Sequence, residues 1–175
     1  MNKIMFISGS NRNGNTQYIL EKLYNEISNE KQLLLLKDKN IGFCKGCLFC
    51  HTTCDCSIND DMQKIMKDML DTDLFVIGVP NYFSNMSGLL KNFFDRLHPF
   101  YSHKHLANKK VLYIYLGGGD LDSTKEWCSK SVHGITKCLG LDVLAEYSFK
   151  ALNTNDMQKY DSDLKEIKEK IMSSI

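Results

Sequence analysis

The sequence lacks three features that would assign a function class at once: a strong net charge, a membrane-spanning run and a secretory signal. The 22 Lys and Arg residues nearly balance the 21 Asp and Glu residues, so the net charge is +1. This balance gives no electrostatic reason to expect nucleic acid or a membrane surface as a partner. No apolar run approaches the ~18 residues of a membrane span. The apolar run at residues 4–7 is too short for a secretory signal and ends in polar residues. We therefore expect a cytoplasmic protein that binds neither nucleic acid nor membrane.

Apolar runs of strand length alternate with helical patterns along the 175 residues. The predicted strands are 3–8, 32–36, 74–79, 111–116 and 141–149, and the predicted helices are 15–29, one from residue 60, 87–97, 123–139 and one over 157–171. This alternation indicates an α/β fold, a parallel sheet with helices on both faces. Five strands suit the flavodoxin-like three-layer sandwich with strand order 2-1-3-4-5. The length fits a single domain over residues 1–175.

Local patterns on these helices give further expectations. Asp60 and Gln63 resemble a capping box at the start of a helix. On the helix 123–139, we expect Trp127 to face inward and both Cys128 and Cys138 to lie in the core.

The loop at residues 8–16 follows the first strand and leads into a helix. Gly9 and Gly14 have the spacing of the nucleoside-triphosphate loop, but Asn15 stands where that motif has lysine. Because a triphosphate needs that lysine, the loop is typical of a site for a single phosphate at a helix N-terminus. The candidate phosphate ligands are Ser10, Arg12, Asn13, Asn15 and Thr16. An ordinary turn capped by Asn15 or Thr16 is the alternative.

Three loops converge at the carboxyl ends of the predicted strands, where ligands bind in this fold. The first is the phosphate loop, and the second, residues 80–85, offers the aromatic ring of Tyr82. The third contains Gly117, Gly118 and Gly119, which let the backbone approach a flat ligand closely. A phosphate joined to a planar ring describes FMN.

The motifs at these loops resemble those of the NAD(P)H-dependent FMN reductase family. The matching residues are Ser8-Gly9-Ser10-x-Arg12-x-Gly14-Asn15-Thr16, then Pro80-x-Tyr82 and Leu90-Lys91-Asn92-Phe93-Phe94-Asp95-Arg96. The resemblance implies an FMN-dependent oxidoreductase whose isoalloxazine is lined by Pro80, Asn81, Tyr82, Phe83 and the three glycines 117–119. NAD(P)H would dock transiently over the flavin, since no separate GxGxxG is present. The flavin supplies the chemistry, so no catalytic acid or base is assigned.

Five of the seven cysteines fall within residues 44–56. Cys44, Cys47 and Cys50 form a C-x-x-C-x-x-C run. With Cys56 as the fourth residue they resemble the iron–sulfur flavoprotein branch, which implies a [4Fe–4S] cluster, and Cys54 is the alternative fourth ligand. Free or redox-active thiols and a zinc site remain alternatives, although the second C-x-x-C knuckle typical of zinc is missing. The histidines at 98, 103 and 105 have no metal-ligand spacing and indicate a solvated loop.

Three functions follow from these patterns. The first is an NAD(P)H-driven FMN reductase acting on a small molecule or a partner protein. The second is an electron-transfer protein with FMN and a [4Fe–4S] cluster, and the third is a flavin-free nucleotide-binding or zinc-binding module. The resemblance also implies a homodimer or homotetramer. The helix 87–97 has more large apolar residues than one buried face needs, and the segment 98–105 is placed to cover a neighbour's flavin.

Overall fold

The protein folds around one parallel sheet, described over residues 2–175 of a computed structural model. The strands are Ile4–Ser8 (β1), Lys31–Leu35 (β2), Leu74–Pro80 (β3), Lys110–Gly117 (β4) and Asp142–Lys150 (β5). Their order is β2-β1-β3-β4-β5 and every neighbouring pair is parallel. The predicted flavodoxin-like order 2-1-3-4-5 is therefore confirmed.

Burial follows strand position in the sheet. Every residue of β1 and β3 is buried, because each of these strands has a neighbour on both sides and helices on both faces. The edge strands β2 and β5 are only partly buried. The strand order reverses direction between β1 and β3. Ligands of such sheets bind at this switch point.

Helices cover both faces of the sheet. They are Asn15–Glu26 (α1), Cys50–Thr53 (α2), Met62–Leu70 (α3), Gly88–Asp95 (α4), Leu121–Leu139 (α5) and Asp161–Met172 (α6). The apolar side chains of α1 and α6 pack in one core, and those of α3, α4 and α5 pack in the other. None of the helices within residues 2–175 combines the length and the apolar composition needed to cross a membrane.

Two expectations about α5 are wrong. Trp127 is 42% exposed and Cys138 is exposed, whereas Cys128 is fully buried as predicted. The buried face of α5 follows Cys128, Val132 and Thr136, four residues apart. At about 100° per residue, Trp127 lies about 100° and Cys138 about 80° around the helix from Cys128, on the side away from Val132 and Thr136.

Most apolar side chains of α4 are buried within the protomer. Leu90, Phe93, Phe94 and the following Leu97 are each at most 5% exposed. The apolar excess that suggested an oligomer contact is therefore buried within the protomer, and α4 itself offers little apolar surface to a second copy.

Candidate functional site

The N-terminus of α1 is open for an anion. Gly14 occupies the cap position, no side chain caps the helix, and no acidic residue lies in its first turn. The alternative of a turn capped by Asn15 or Thr16 is therefore wrong. The first N–H groups of a helix lack intrahelical partners and carry the positive end of its dipole. The loop at residues 8–16 thus presents unused donors at the carboxyl end of β1.

Ser10 and Arg12 shape this loop. The Ser10 hydroxyl donates to the Arg12 carbonyl oxygen at 3.0 Å and accepts from the Arg12 N–H at 3.3 Å. The Arg12 side chain folds back over the helix start, since a Cβ built on Gly14 would lie 3.4 Å from Arg12 Nε. Within residues 2–175, Arg12 forms no ion pair. Its positive charge is therefore available to an anionic ligand.

Asn15 has a structural partner that the sequence did not reveal. Its Nδ2 donates to the Asn153 carbonyl oxygen at 2.7 Å, and its Oδ1 accepts from the Met157 N–H at 3.3 Å. The side chain ties the start of α1 to the segment after β5, which leaves the Asn15 backbone N–H for an anion. Asn13 lines a separate depression beside Gln17 and Thr154.

The three predicted loops form one cavity of about 110 Å³. Nine of the predicted cofactor residues line it: Ser10, Arg12, Asn15, Thr16, Pro80, Asn81, Tyr82, Gly117 and Gly118. Asn13, Phe83 and Gly119 are not among its lining residues, and the Phe83 side chain is fully exposed. Among the residues that the structure describes, no carboxylate lines this cavity. We call it the three-loop cavity.

The same cavity has a further wall that sequence reasoning missed. Leu116, Ala151 and Leu152 also line it. Ala151 and Leu152 follow β5, and a Cβ on Gly118 would lie 2.7 Å from Leu152 Cδ1. No motif marks this segment, so only its position beside β4 could have indicated it.

Close backbone packing draws the loops together. The Ser87 hydroxyl donates to the Gly9 carbonyl oxygen at 2.5 Å and accepts from the Leu90 N–H at 3.1 Å. A Cβ on Gly9 would lie 2.9 Å from Leu90 Cβ, so a larger residue there would push α4 away. Ser87 therefore both caps α4 and anchors the phosphate loop to it.

Two buried polar atoms near Gly117 lack hydrogen-bond partners within the described residues. They are Asn81 Oδ1 and Thr124 Oγ1. A Cβ on Gly117 would lie 2.7 Å from Thr124 Oγ1 and 3.1 Å from Asn81 Cβ, so both side chains flank this glycine. Buried polar groups are normally satisfied, so such atoms beside a cavity fit a polar ligand that completes them. Three features of the three-loop cavity therefore fit FMN: the open N-terminus of α1, the positive charge of Arg12 and the polar atoms that lack hydrogen-bond partners.

The cysteine segment encloses a second cavity of about 150 Å³. Cys44, Cys47, Cys50 and Cys56 all line it. Cys54 does not, because it ends α2 in a left-handed conformation with φ of 57°. The chain thus brings together the four cysteines that the sequence proposed as ligands. We call this the cysteine cavity.

The sulfur spacing separates the two metal alternatives. Within residues 2–175, no three of the cysteine sulfurs lie within 4.8 Å of one another. Sulfurs around one tetrahedral zinc lie about 3.8 Å apart, given Zn–S bonds of about 2.3 Å. Thiolates of a [4Fe–4S] cluster bind different irons and stand farther apart. The described cysteines therefore do not have the sulfur spacing of a four-cysteine zinc site.

A buried ion pair between Arg96 and Asp60 lies beside the cysteine cavity. The Arg96 side chain is fully buried, and its two terminal nitrogens contact Asp60 at 2.6 and 3.0 Å. Burial alone would raise the pKa of Asp60, but hydrogen bonds from Arg96 and from the amides of Gly42 and Met62 hold that pKa below its usual value. Arg96 also donates to the Gly42 carbonyl oxygen at 2.8 Å. The pair thus fixes both ends of the cysteine segment to α4.

The predicted capping box between Asp60 and the Gln63 side chain does not form. Gln63 does not reach back to Asp60, because its Nε2 donates to the carbonyl oxygens of Cys56 and Ile58 at 2.9 and 3.2 Å. The Asp60 carboxylate accepts from the Met62 N–H at 3.0 Å but is mainly the partner of Arg96.

The thiols of the segment have unequal surroundings. The Ser57 hydroxyl lies 3.3 Å from Cys47 Sγ and lowers the pKa of that exposed thiol. Burial raises the pKa of Cys50, and the neighbouring cysteines 56, 44 and 47 add to this effect. The sulfur of Cys50 lies 3.4 Å from His98 Nδ1. The structure thus places His98, predicted to be solvated, against the cysteine segment.

The helix α4 separates the two cavities. Its first turn holds the phosphate loop through Ser87, and its end contributes Asp95 and Arg96 to the cysteine cavity. Eight helical residues span about 12 Å. The cysteine segment follows the edge strand β2, and its cavity lies at the far end of α4 from the phosphate loop.

Comparison with known proteins agrees with this geometry. The sequence profile of the NADPH-dependent FMN reductases matches residues 2–129. The chain belongs to this family. The matched residues include the phosphate loop, residues 80–83 and the glycines 117–119, which are the three loops that line the three-loop cavity.

Curated relatives include iron–sulfur flavoproteins. One from Archaeoglobus fulgidus is 40% identical over 97 residues, which cover 54% of this chain and 48% of that protein. Another, from Methanocaldococcus jannaschii, is 36% identical over 111 residues, which cover 61% and 58%. The chain thus spans about half the length of these relatives. The resemblance to the iron–sulfur flavoprotein branch is confirmed.

A solved structure of an NADH:FMN oxidoreductase, EmoB in its apo form, superposes with a TM-score of 0.67 at 18% identity. The superposition covers 99% of this chain and 88% of that one. At this identity the likeness concerns the fold alone.

Proposed function

We propose that the protein binds FMN in the three-loop cavity and uses it to oxidise NAD(P)H. The observation that carries this proposal is the open N-terminus of α1 with the free cation of Arg12, in a cavity without a carboxylate. When bound there, FMN would supply the chemistry of hydride transfer from a nicotinamide and the release of one or two electrons. The acceptor is a small molecule or a partner protein.

Each loop has its own part in holding the cofactor. Arg12, the hydroxyls of Ser10 and Thr16, and the first N–H groups of α1 would hold the phosphate. Residues 80–83 and the glycines 117–119 would flank the isoalloxazine. Asn81 and Thr124 offer it the buried polar atoms that lack partners. Asn13 and the Asn15 side chain contribute less than the sequence predicted, because one lines another depression and the other binds the segment after β5.

The second proposed cofactor is a [4Fe–4S] cluster held by Cys44, Cys47, Cys50 and Cys56. The convergence of these four cysteines on one cavity supports it, and Cys54 would be the spare. A cluster passes single electrons. It therefore favours a second candidate function, an electron-transfer protein in which partner proteins both supply and remove the electrons.

Anaerobic purification followed by flavin, iron and activity measurements tests both functions. Bound FMN with NADH or NADPH oxidation supports the reductase. FMN and about four irons per chain without NAD(P)H oxidation support the electron-transfer protein. A colourless protein that resists FMN reconstitution would contradict both.

A single substitution tests the cofactor cavity itself. Arg12→Ala removes a charge-assisted contact worth roughly 1.5–3 kcal/mol, so FMN affinity should fall by about ten-fold or more. Lys67→Ala, on the exposed side of α3, removes the same formal charge outside the cavity and is the matched control. Fluorescence titration with FMN measures both variants. Equal affinities in the two variants would contradict a phosphate contact at Arg12.

We also propose a homodimer or homotetramer, on the strength of the family. The exposed rings of Phe43 and Phe83, at 80% and 104% exposure, lie on the cysteine segment and on the loop after β3 and are candidate contact residues. Analytical ultracentrifugation of the FMN-bound protein checks this proposal. A strictly monomeric species would refute it. The cytoplasmic location stays a prediction.

A further inference from the structure

The structure brings a metal-binding trio together beside the cysteine cavity. The sulfur of Cys50 and ring nitrogens of His51 and His98 all lie within 4.8 Å of one another. Cys50 and His51 start the short helix α2, whereas His98 lies 48 residues away, after α4. The trio is therefore a product of the tertiary fold, and no spacing motif in the sequence announces it.

One separation within the trio is already close to that at a bound ion. His98 Nδ1 lies 3.4 Å from Cys50 Sγ, close to the separation of about 3.6 Å expected for nitrogen and sulfur on one tetrahedral zinc. The rings of His51 and His98 are stacked, with an interplanar angle of 4° and centroids 5.0 Å apart. Because an imidazole nitrogen donates in the plane of its ring, at least one ring must rotate for both to bind the same ion. The flanking residues Leu97 and Pro99 are buried, which fixes the backbone that carries the His98 ring.

We propose that Cys50, His51 and His98 bind one divalent transition-metal ion, with zinc the best match. One thiolate with two imidazoles is a borderline-soft donor set that suits zinc rather than magnesium or calcium. Both histidines are exposed, so a water molecule can complete a four-coordinate shell. The site differs from a four-cysteine zinc site, because it uses one cysteine and needs both histidines.

The site shares Cys50 with the proposed cluster. A single thiolate that serves the cluster is not free for the divalent ion, so the two occupants exclude each other. This exclusion rests on the proposed function, whereas the metal site itself does not. Zinc bound at the trio would therefore prevent a chain without a cluster from assembling the [4Fe–4S] cluster.

Cobalt binding to the full-length chain tests the site. In a Cys44→Ser variant, which lacks one proposed cluster ligand but keeps the trio, we expect one Co²⁺ per chain with a thiolate-to-cobalt absorption band. Zn²⁺ should displace the cobalt. Adding His98→Ala or His51→Ala should weaken binding at least about 100-fold, because loss even of an outer-shell partner costs about 10–100-fold.

His103→Ala is the matched control, since His103 is an exposed histidine of the same segment outside the trio. It should leave cobalt affinity unchanged. Circular dichroism establishes that each variant is folded, and the titration does not depend on bound FMN, so failure of the flavin proposal would be seen separately. The site is overturned if the Cys44→Ser variant binds no cobalt, or if binding survives both histidine substitutions.

Discussion

Removal of the Asp60 carboxylate should destabilise the protein more than any surface change. The Arg96 side chain is 0% exposed and that of Asp60 is 5% exposed, so the pair is desolvated. Asp60→Asn keeps the side-chain size but leaves the Arg96 guanidinium buried without its counter-charge. Breaking a buried pair in this way costs about 3–5 kcal/mol.

That cost is large against the whole stability of such a domain, which is about 5–15 kcal/mol. For 150–250 residues, each kcal/mol lowers Tm by about 2–4 °C, so Asp60→Asn should lower it by about 6–20 °C. Thermal and urea unfolding followed by circular dichroism measure the change. The matched control is Glu126→Gln, which breaks the exposed i,i+4 pair with Lys130 and should cost less than about 1 kcal/mol.

The pH dependence has a definite sign. The pKa of Asp60 is lower in the folded protein than in the unfolded chain, so its carboxylate stabilises the fold at neutral pH. That contribution begins to fall near the unfolded value of about 3.9 and is lost as the pH drops through the folded pKa. The difference between wild type and Asp60→Asn should therefore shrink below about pH 4.

A double variant completes the test. Asp60→Asn with Arg96→Met removes both charges, so it should be destabilised by less than the sum of the two single variants. Equal loss in Asp60→Asn and Glu126→Gln, or strict additivity in the double variant, would refute the reasoning.

Further predictions concern single side chains. Thr124→Val removes a buried hydroxyl that lacks a protein partner, so the free energy of unfolding of the FMN-free protein should stay unchanged or rise by about 1 kcal/mol, while FMN affinity should fall about 2- to 10-fold. Chemical denaturation and fluorescence titration measure the two effects, and a loss of stability with intact affinity would contradict them. Burial raises the pKa of Cys128 to about 11, whereas Cys138 is exposed, so a maleimide should label Cys138 in the native protein and Cys128 only after unfolding. Mass spectrometry of labelled peptides checks this, and rapid native labelling of Cys128 would contradict its burial.

The fold and the outline of the cavity could be predicted because they rest on periodicity and on local motifs. The fully buried strands β1 and β3 appear in the sequence as unbroken apolar runs, and their order follows from the alternation of strands and helices. The phosphate loop follows directly after β1, the loop with Tyr82 follows β3, and the glycines 117–119 lie at the end of β4. Their convergence at the carboxyl ends is a property of any parallel sheet of this order.

The sequence did not reveal contacts between residues that lie far apart along the chain. Asn15 had the sequence of a phosphate ligand, but its amide binds the backbone of Asn153, 138 residues away. Asp60 had the sequence of a helix cap, but a buried Arg96 takes its carboxylate. Contacts of this kind depend on which loops the fold brings together, and a single sequence carries no local sign of them.

The position of α4 between the two cavities has a consequence for electron flow. One short helix sets the separation of the two proposed cofactor sites within a protomer, since its first turn holds the phosphate loop and its last residues line the cysteine cavity. Each inserted residue would lengthen the helix by about 1.5 Å and rotate its end by about 100°. The helix would hold the two proposed cofactors at a fixed distance. The rate of transfer between them would then depend on the length of α4, even if every ligand of both cofactors stayed the same.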